Sequence, residues 1–443
     1  MFSSLLIANR GEIARRIART ARDLGIRTIA VHSEADADLP HVTEADEAVA
    51  IGASDPASSY LNIPAILEAA KRTGAEAIHP GYGFLSEKPA FAAAVVDAGI
   101  TWIGPSPRAI EAMGDKINAR NLMIAHNVPV APGGGEPVTD ADSARAEAER
   151  IGYPVMVKAA AGGGGMGMAV AQDAESLAAQ AEKIHGFATR LFGSGDLLIE
   201  RYYPRVRHIE VQVLGLNDGR VLALGERECS VQRRHQKLVE ETPSAAVDPA
   251  MRERLMDASR RAAAAIDYRG AGTIEYLLDA DSGEFFFLEM NTRLQVEHPI
   301  TELVRGIDLV EAQFRIAAGE DVSFDESAPS GHAIELRVNA EDPKRFLPGP
   351  GTIDTWTEPS GEGVRVDSGY RAGNTVPRFY DSLMAKVVAH GPDRATAIAR
   401  AKRAASEFVI AGPKSNLAFH VELLDNPEFV AGDYDTGIIG RMR

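Results

Sequence analysis

Residues 284–299 read E-F-F-F-L-E-M-N-T-R-L-Q-V-E-H-P and constrain the fold more than any other stretch. The apolar run at 285–288 is typical of a buried strand. Polar residues then occupy alternate positions, namely Glu289, Asn291, Arg293, Gln295 and Glu297. If the chain stays extended, these side chains share one face of a strand. Buried charges are costly unless they meet a metal, a charged ligand or each other, and this set suits Mg²⁺ beside a phosphate or carbonate.

Length and composition limit the class of protein. A chain of 443 residues exceeds what one core usually fills, so we expect two or three domains. The net charge of −16 argues against binding to nucleic acid or an anionic membrane, so local Lys and Arg clusters must hold any anionic substrate. Cys229 is the single cysteine, which excludes an internal disulfide. No apolar run is long enough for a membrane span or a signal peptide, so we expect a cytoplasmic protein.

The N-terminal part shows the pattern of a parallel α/β sheet. A strand at 4–9, a helix at 13–24 and a strand at 26–31 follow one another closely. A later loop, H-P-G-Y-G-F-L-S-E at 79–87, follows a short strand, where ligands collect in such sheets; a plain turn is the alternative. No G-x-G-x-x-G spacing is present at the first strand, which excludes a nicotinamide dehydrogenase.

A glycine run follows an apolar strand that ends at Lys158. The segment 159–168 contains Gly162, Gly163, Gly164, Gly165 and Gly167. Such a run persists where backbone N–H groups wrap a phosphate, whereas flexible spacers are usually mixed with serine and flanked by polar sequence. Apolar segments flank this run, which favours a hairpin flap over ATP. It is not a Walker loop, because no G-K-[ST] ends it.

Residues 225–237 form the densest basic cluster of an acidic chain, with Arg227, Arg233, Arg234, His235 and Lys237. A solvated charged face is the ordinary interpretation, and a focus of positive potential for a small anion is the functional one. Cys229 lies inside the cluster, and we predict that it packs as a small hydrophobic residue.

Two glutamates are predicted to face each other. Glu275 lies in the apolar strand 271–278, and a turn at 279–283 brings Glu289 onto the neighbouring strand. Facing carboxylates without a metal repel each other and raise the pKa of one, and a shared Mg²⁺ removes that conflict. Further on, Arg337 alternates with Glu335 and Asn339, so these side chains share a face.

Together these motifs resemble the ATP-grasp superfamily and, within it, the biotin carboxylases. The matching segments are I-A-N-R-G-E-I-A, H-P-G-Y-G-F-L-S-E, M-G-D-K, S-V-Q-R-R-H-Q-K, Y-R-G-A-G-T, E-M-N-T-R-L-Q-V-E-H, E-D-P and Y-D-S, and they cover nearly the whole chain. The resemblance implies an α/β protein with an ATP-grasp fold. It places a Rossmann-like domain at 1–112, an ATP-grasp domain at 113–325 with a mobile lid at about 131–203, and a mixed α/β domain at 326–443.

The implied reaction has two steps. ATP activates bicarbonate to carboxyphosphate, and the carbon dioxide released from it carboxylates N1′ of biotin. The cofactors would be ATP, Mg²⁺ or Mn²⁺, and biotin on a separate carrier protein or domain, since no A-M-K-M motif occurs here. A carboxyltransferase would complete an acetyl-CoA or other acyl-CoA carboxylase, as in fatty acid biosynthesis; pyruvate and urea stay open as acceptors. A homodimer is also expected.

Site residues follow from the matching motif positions. The implied ATP site comprises Lys116, Lys158, Gly164, Gly165, Glu200, Arg201, Tyr202, Tyr203, His208, Gln232, His235, Glu275 and Glu289. Glu275, Glu289 and Asn291 would hold the metal, and Lys237, Arg293, Gln295 and Val296 would bind bicarbonate. Glu297 would take the proton of bicarbonate, and Arg337 would stabilise the biotin enolate beside Tyr82 and Gly83. Arg293, Glu297, Lys237 and Arg337 form the implied catalytic set.

Two other classes of protein share parts of this pattern. Another ATP-grasp ligase, of the carbamoyl-phosphate or purine type, would share the Lys and Glu positions but lack the Q-R-R-H-Q-K cluster together with Arg337. A non-enzymatic nucleotide-binding module would have lost a metal or base residue, and none is lost here. The chain departs from the family pattern at Ala161 and Met166 in the flap and at Glu362 near the expected dimer contact.

Overall fold

A parallel sheet forms the N-terminal part of the computed structural model, which describes residues 1–160, 167–324 and 329–443. Its strands lie in the order β3-β2-β1-β4-β5, which confirms the predicted Rossmann-like pattern. The strands are β1 (Ser4–Ile7), β2 (Arg27–Ser33), β3 (Glu47–Gly52), β4 (Ala77–His79) and β5 (Thr101–Trp102). The helices are α1 (Gly11–Asp23), α2 (Pro40–Thr43), α3 (Ile63–Thr73), α4 (Pro89–Asp97) and α5 (Pro107–Gly114), with 3₁₀ turns at Glu34–Asp36 and Pro56–Ser58.

A small antiparallel sheet follows, with its own apolar core. Its strands β6 (Val155–Ala159), β7 (Met168–Ala171) and β8 (Leu197–Arg201) lie in the order β7-β6-β8. The helices α7 (Ala141–Ile151) and α8 (Ala174–Phe192) pack on it, and α6 (Lys116–Ala125) precedes them. The predicted ATP-binding glycines Gly164 and Gly165, with Ala161 and Met166, lie outside the described residues.

An eight-stranded antiparallel sheet joins the middle of the chain to its C-terminal part. Its order is β13-β12-β9-β10-β11-β14-β19-β17, so that β11 pairs directly with β14. The strands are β9 (Val206–Gly215), β10 (Val221–Arg233), β11 (Gln236–Thr242), β12 (Gly270–Asp279), β13 (Phe285–Asn291), β14 (His332–Asn339), β17 (Val364–Ser368) and β19 (Leu383–Gly391).

Helices and short strands complete the chain around this sheet. The helices are α9 (Pro249–Ala264), α10 (His298–Arg305), α11 (Leu309–Ala317), α12 (Arg394–Glu407), α13 (Leu417–Leu424), α14 (Pro427–Ala431) and α15 (Ile438–Arg441). The short strands are β15 (Gly351–Thr352), β16 (Thr355–Thr357), β18 (Thr375–Val376) and β20 (Val409–Ala411). Within the described ranges, every helix is too short or too polar to cross a bilayer.

The prediction that the chain stays extended from Glu289 to Glu297 is wrong. Strand β13 ends at Asn291, and α10 begins at His298 with Glu297 as its N-cap and a proline in its first turn. Proline is favoured there, because its fixed φ suits a helix and its missing N–H is not needed. The five polar side chains therefore lie at the end of β13, on the turn that follows it and at the N-cap of α10.

Candidate active site

Lys237 lies at the centre of a buried carboxylate cluster. Its Nζ donates hydrogen bonds to Glu210 Oε2 at 2.5 Å, Glu297 Oε1 at 2.7 Å, Glu275 Oε1 at 2.8 Å and Gln295 Oε1 at 3.2 Å. The three carboxylates are almost completely buried. They outweigh the effect of burial, which alone would lower the pKa of Lys237, so that this pKa lies well above its usual range.

A β-bulge aims Lys237 into the cluster. Val231 pairs with Val239, but Gln232 pairs with Lys237, so β11 carries Leu238 as an extra residue. A bulge lets two successive side chains depart from strict alternation. Leu238 and Val239 both pack into the C-terminal core, while Lys237 faces the carboxylates.

Glu275 and Glu289 face each other as predicted, on β12 and β13. Asn291 Nδ2 and Gln295 Nε2 donate to Glu275 Oε1 at 2.9 Å and 2.8 Å. Burial alone would raise the pKa of Glu275, but Lys237 and His208 bring it well below the usual range. Burial, Glu275 and Glu87 together raise the pKa of Glu289. The repulsion between the two carboxylates is therefore expressed at Glu289, and a divalent cation between them would relieve it.

His208 is oriented by a hydrogen-bond chain. Gln232 Nε2 donates to Cys229 O at 2.7 Å and to His208 Nδ1 at 2.8 Å, so Nδ1 accepts and the proton lies on Nε2. His208 Nε2 lies 2.9 Å from Glu275 Oε2. Cys229 is completely buried, but its Sγ lies 4.0 Å from Glu297 Oε1, so it borders the carboxylate cluster and does not pack simply as the predicted small hydrophobic residue.

Glu297 lies between two cations. Its Oε1 accepts from Lys237, and its Oε2 accepts from Arg337 Nη2 at 2.9 Å. Burial alone would raise the pKa of Glu297, but Lys237, Arg337 and Arg227 together hold this pKa below the usual range. Glu297 is therefore ionised at neutral pH, and its proton affinity depends on how far these cations are engaged elsewhere.

Arg293 is held by two side chains beside the cluster. Its Nη2 donates to Asn291 Oδ1 at 2.8 Å and its Nε donates to Glu87 Oε2 at 2.9 Å. Glu87, which also accepts from the Thr292 N–H at 3.1 Å, ends the predicted glycine loop. The loop thus closes over the turn that follows β13.

The predicted phosphate-binding lysines lie close together on α6 and β6. Lys158 pairs with Glu200 Oε2, and Arg120 Nη1 pairs with Glu200 Oε1 at 2.9 Å. Lys116 Nζ donates to Ala159 O at 3.3 Å. Burial and the neighbouring Lys158 lower the pKa of Lys116. Two lysines that repel each other in this way are suited to a shared anion.

Only part of the predicted basic cluster contacts the buried carboxylates. Arg227 is completely buried and donates to Glu210, to Gln212 at 2.7 Å and to Thr301 at 3.0 Å. Arg233 donates to Phe346 O at 2.9 Å, while Arg234 and His235 occupy a tight turn with positive φ. Of the five basic residues, only Lys237 bonds directly to all three cluster carboxylates. The positive charge at the cavity therefore includes Arg293 and Arg337 beside Lys237, residues that lie far apart in sequence.

Three residues predicted to bind the nucleotide, Arg201, Tyr202 and Tyr203, make contacts within the protein. Arg201 donates to the carbonyls of Gly152 and Tyr153 at 2.9 Å and 3.2 Å. Tyr203 stacks on Phe286, with ring centroids 4.9 Å apart. The Tyr202 N–H donates to Pro154 O at 3.1 Å.

A cavity of about 480 Å³ opens beside the cluster. Arg293, Val296, Arg337, Tyr82 and Gly83 line it, so the structure brings together the predicted bicarbonate and biotin residues. The Tyr82 hydroxyl donates to Glu12, and Lys386 Nζ donates to Val296 O at 2.8 Å and lies 3.2 Å from Glu12. Asn9 Nδ2 holds the glycine loop by donating to the carbonyls of Pro80 and Tyr82, each at 2.7 Å.

Several members of this network were not predicted from the sequence. Glu210, Glu12, Glu87, Lys386 and Glu240 all bond directly to predicted site residues. A signal for Glu210 exists in the alternation of polar residues in H-I-E-V-Q, which places it on the face of His208. No comparable signal marks Lys386.

Three family models match the chain in succession. They are described as the biotin carboxylase N-terminal domain (residues 1–110), the carbamoyl-phosphate synthase L chain ATP-binding domain (115–324) and the biotin carboxylase C-terminal domain (335–441).

Named relatives match over almost the whole chain. A pyruvate carboxylase subunit of Methanothermobacter thermautotrophicus is 48% identical over 100% of this chain and 90% of its own length. The biotin carboxylase of a Nostoc species is 49% identical over 100% and 99%. The biotin-dependent acyl-coenzyme A carboxylase alpha3 subunit of Mycobacterium leprae is 46% identical over 97% and 72%.

Solved structures share the fold. A Campylobacter jejuni biotin carboxylase, crystallised as a β,γ-ATP complex, has a TM-score of 0.97 at 45% identity and covers 100% of this chain and 99% of its own. The biotin carboxylase domain dimer of Hydrogenobacter thermophilus 2-oxoglutarate carboxylase, with MgADP, ADP and bicarbonate, has a TM-score of 0.96 at 43% identity and covers 100% and 98%.

Proposed function

The chain belongs to the biotin carboxylase family, and on that premise we propose that it uses ATP and bicarbonate to carboxylate biotin presented by a carrier. The balanced reaction is ATP, bicarbonate and biotin to ADP, phosphate and carboxybiotin. One observation carries the proposal. Lys237, Arg293 and Arg337 all line the 480 Å³ cavity, and Lys237 and Arg337 both donate to the ionised Glu297 behind its wall.

We propose that Lys116 and Lys158 bind the phosphates of ATP, with Gly164 and Gly165 above them. The remaining nucleotide contacts fall to Glu200, Arg201, Tyr202, Tyr203, His208, Gln232 and His235. Glu275, Glu289 and Asn291 would hold Mg²⁺ or Mn²⁺, whose charge neutralises the phosphates when it is bound. The repulsion that raises the pKa of Glu289 supports this assignment.

Bicarbonate is assigned to Lys237, Arg293, Gln295 and Val296, with Glu297 as the base. In the resting site, Lys237 and Arg337 keep Glu297 ionised and weakly basic. When an anion binds to Lys237 and Arg293, it neutralises part of the positive charge that stabilises the Glu297 carboxylate. The pKa of Glu297 then rises toward a value at which it can accept the proton of bicarbonate.

Biotin is assigned to the part of the cavity that Tyr82, Gly83 and Arg337 line. Arg337 presents a guanidinium that stays charged at any working pH, and it points a fork of N–H donors at an oxygen that gains negative charge. We further propose a homodimer in the cytoplasm that works with a biotin carboxyl carrier and a carboxyltransferase. We propose acetyl-CoA or another acyl-CoA as the final acceptor, which the name of the Mycobacterium leprae relative supports.

The direct test is phosphate release from ATP with Mg²⁺ and bicarbonate, measured with and without biotin. Biotin is expected to stimulate release, and Glu297→Gln is expected to abolish the stimulation. Glu47→Gln is the matched control, because Glu47 is exposed and pairs with Arg27 at the surface. Equal rates with and without biotin in the parent chain would overturn the proposal.

The acceptor is tested separately by supplying ATP, labelled bicarbonate, and a biotin carrier and transferase purified from the same cells. Transfer of labelled carboxylate to acetyl-CoA or propionyl-CoA supports the acyl-CoA assignment. Exclusive transfer to pyruvate or 2-oxoglutarate would refute that assignment and leave the biotin half-reaction unaffected.

A further inference from the structure

Two buried carboxyl groups lie side by side next to Arg337. Glu240 on β11 is directly opposite Glu335 on β14, so their side chains project from the same face of the sheet. Both residues are completely buried. Arg337 Nε donates to Glu240 Oε1 at 2.6 Å, and Arg337 Nη2 lies at the same distance from that oxygen.

Glu335 makes no hydrogen bond with either oxygen, and Glu240 Oε2 also has none, within the part of the chain that the structure describes. An ionised carboxylate in this position would be among the costliest groups in the molecule. A protonated carboxyl group costs far less to bury, because it carries no net charge.

The nearby cations cannot compensate both groups. Arg337 is shared with Glu297, and Lys237 is shared among three other carboxylates. Lys386 is engaged by Glu12 and Val296 O. The charged and titratable groups that face the pair from the surrounding elements are Arg337, Lys237, Lys386, Glu297 and Cys229. Arg337 hydrogen-bonds to Glu240 and also to Glu297, whereas Lys386, the strongest opposing charge on Glu335, makes its own contacts with Glu12 and Val296 O. Of the two facing carboxyl groups, Glu335 is therefore the one left without a partner.

We propose that Glu335 is a neutral carboxylic acid and that Glu240 is an ionised positioning residue, which holds the Arg337 guanidinium against the cavity wall where biotin is carboxylated. The proposal rests on the proposed function for the role of Arg337. Arg337 uses Nε and Nη2 to bind Glu240 and Glu297, so its Nη1 N–H groups are left for the ligand. A neutral Glu335 adds no second negative charge beside Arg337. Such a charge would attract the guanidinium back toward the sheet.

The titration of Glu240 gives the arrangement a pH dependence. Burial and Glu297 raise the pKa of Glu240, Arg337 opposes them, and the result is about 7. Burial also raises the pKa of Glu335 well above its usual range. Glu240 therefore holds Arg337 as a carboxylate well above pH 7, and this hold is lost as the pH falls through that value.

The kinetic test compares Glu240→Gln with Glu335→Gln. Glu240→Gln is expected to lower kcat/KM for biotin roughly tenfold to a hundredfold, the effect of losing one charged hydrogen bond. It should also abolish the fall in kcat/KM for biotin below pH 7. Glu335→Gln replaces a neutral acid with a neutral amide and should keep the parental kcat/KM and pH profile, and Glu240→Asp should restore part of the rate.

An activity-independent measurement keeps the inference separate from the proposed function. The infrared difference spectrum of the parent chain minus Glu335→Gln at pH 8 is expected to show the C=O stretch of a protonated carboxyl group. A carboxylate band there would overturn the inference, whatever the enzyme does. Equal kinetic losses in both Gln variants, or a parental pH profile in Glu240→Gln, would also overturn it.

Discussion

Replacing Lys237 with methionine removes the cation that compensates three buried carboxylates. Removing one partner of a buried ion pair costs about 3–5 kcal/mol, because the other charge is left uncompensated. Here each carboxylate keeps another partner, since Glu210 binds Arg227, Glu297 binds Arg337 and Glu275 contacts His208. We therefore expect a cost near the lower limit, about 3 kcal/mol.

That cost converts into a measurable shift in Tm. An unfolding entropy of about 2.1 cal/mol/K per residue gives roughly 1 °C per kcal/mol for a chain of 443 residues. Scanning calorimetry at pH 7.5 with EDTA should show Lys237→Met melting about 3 °C below the parent chain. Lys402→Met is the matched control: Lys402 pairs with Asp425 at the surface, and its loss should shift Tm by less than about 1 °C.

The pH dependence checks the cause of the shift. In the parent chain, Lys237 keeps the pKa values of Glu275 and Glu297 below the usual range, so these groups contribute stability above the carboxyl pKa of the unfolded chain, about 4.5. In the variant they lose that support and bind protons as the pH falls. The difference in Tm should therefore narrow between pH 7.5 and 4.5. An unchanged Tm at pH 7.5, or a difference that grows on acidification, would refute the reasoning.

Two further substitutions test neighbouring charges. Glu289→Gln removes a carboxylate that repels Glu275, so in EDTA the Tm of this variant should equal or exceed the parental Tm. Added Mg²⁺ should no longer raise the Tm of the variant. A Mg²⁺-induced rise equal to that of the parent chain would contradict the metal assignment. Glu241→Gln tests stability against acid: burial would raise the pKa of Glu241, but hydrogen bonds from His332 and Arg394 bring it to about 2. This variant should lose about 3 kcal/mol at pH 7, and the loss should narrow from pH 4.5 toward 2, as urea denaturation can check.

Sequence patterns predicted the elements that depend on local periodicity. The parallel sheet, the strand that ends at Lys158, and the hairpin that makes Glu275 and Glu289 face each other all follow from alternation and turn residues. Alternation failed after Asn291, because Pro299 and the start of α10 bend the chain there. A strand pattern tells which side chains share a face, but it does not tell where a helix interrupts the strand.

The rest depends on which strands become neighbours, and the sequence pattern does not contain that information. Glu240 meets Arg337 only because β11 pairs with β14, across 97 positions of the sequence. Lys237 meets Glu297 only because Leu238 is an extra residue in β11. Arg227 belongs to the basic run in the sequence but is buried among Glu210, Gln212 and Thr301.

The pairing of these charges also bears on how the site can be activated. Every donor of Lys237 is engaged in the resting site, so an anion can bind to Lys237 only if a carboxylate gives up its contact. On the proposed assignment, Glu275 would do so if it turned to a metal ion, and Glu297 would do so if it acted as the base. We infer that Lys237 couples the two events, because each carboxylate that leaves Lys237 frees one N–H donor for the anion. A metal ion bound by Glu275 would thus change the charge around Glu297 through the lysine that both carboxylates share.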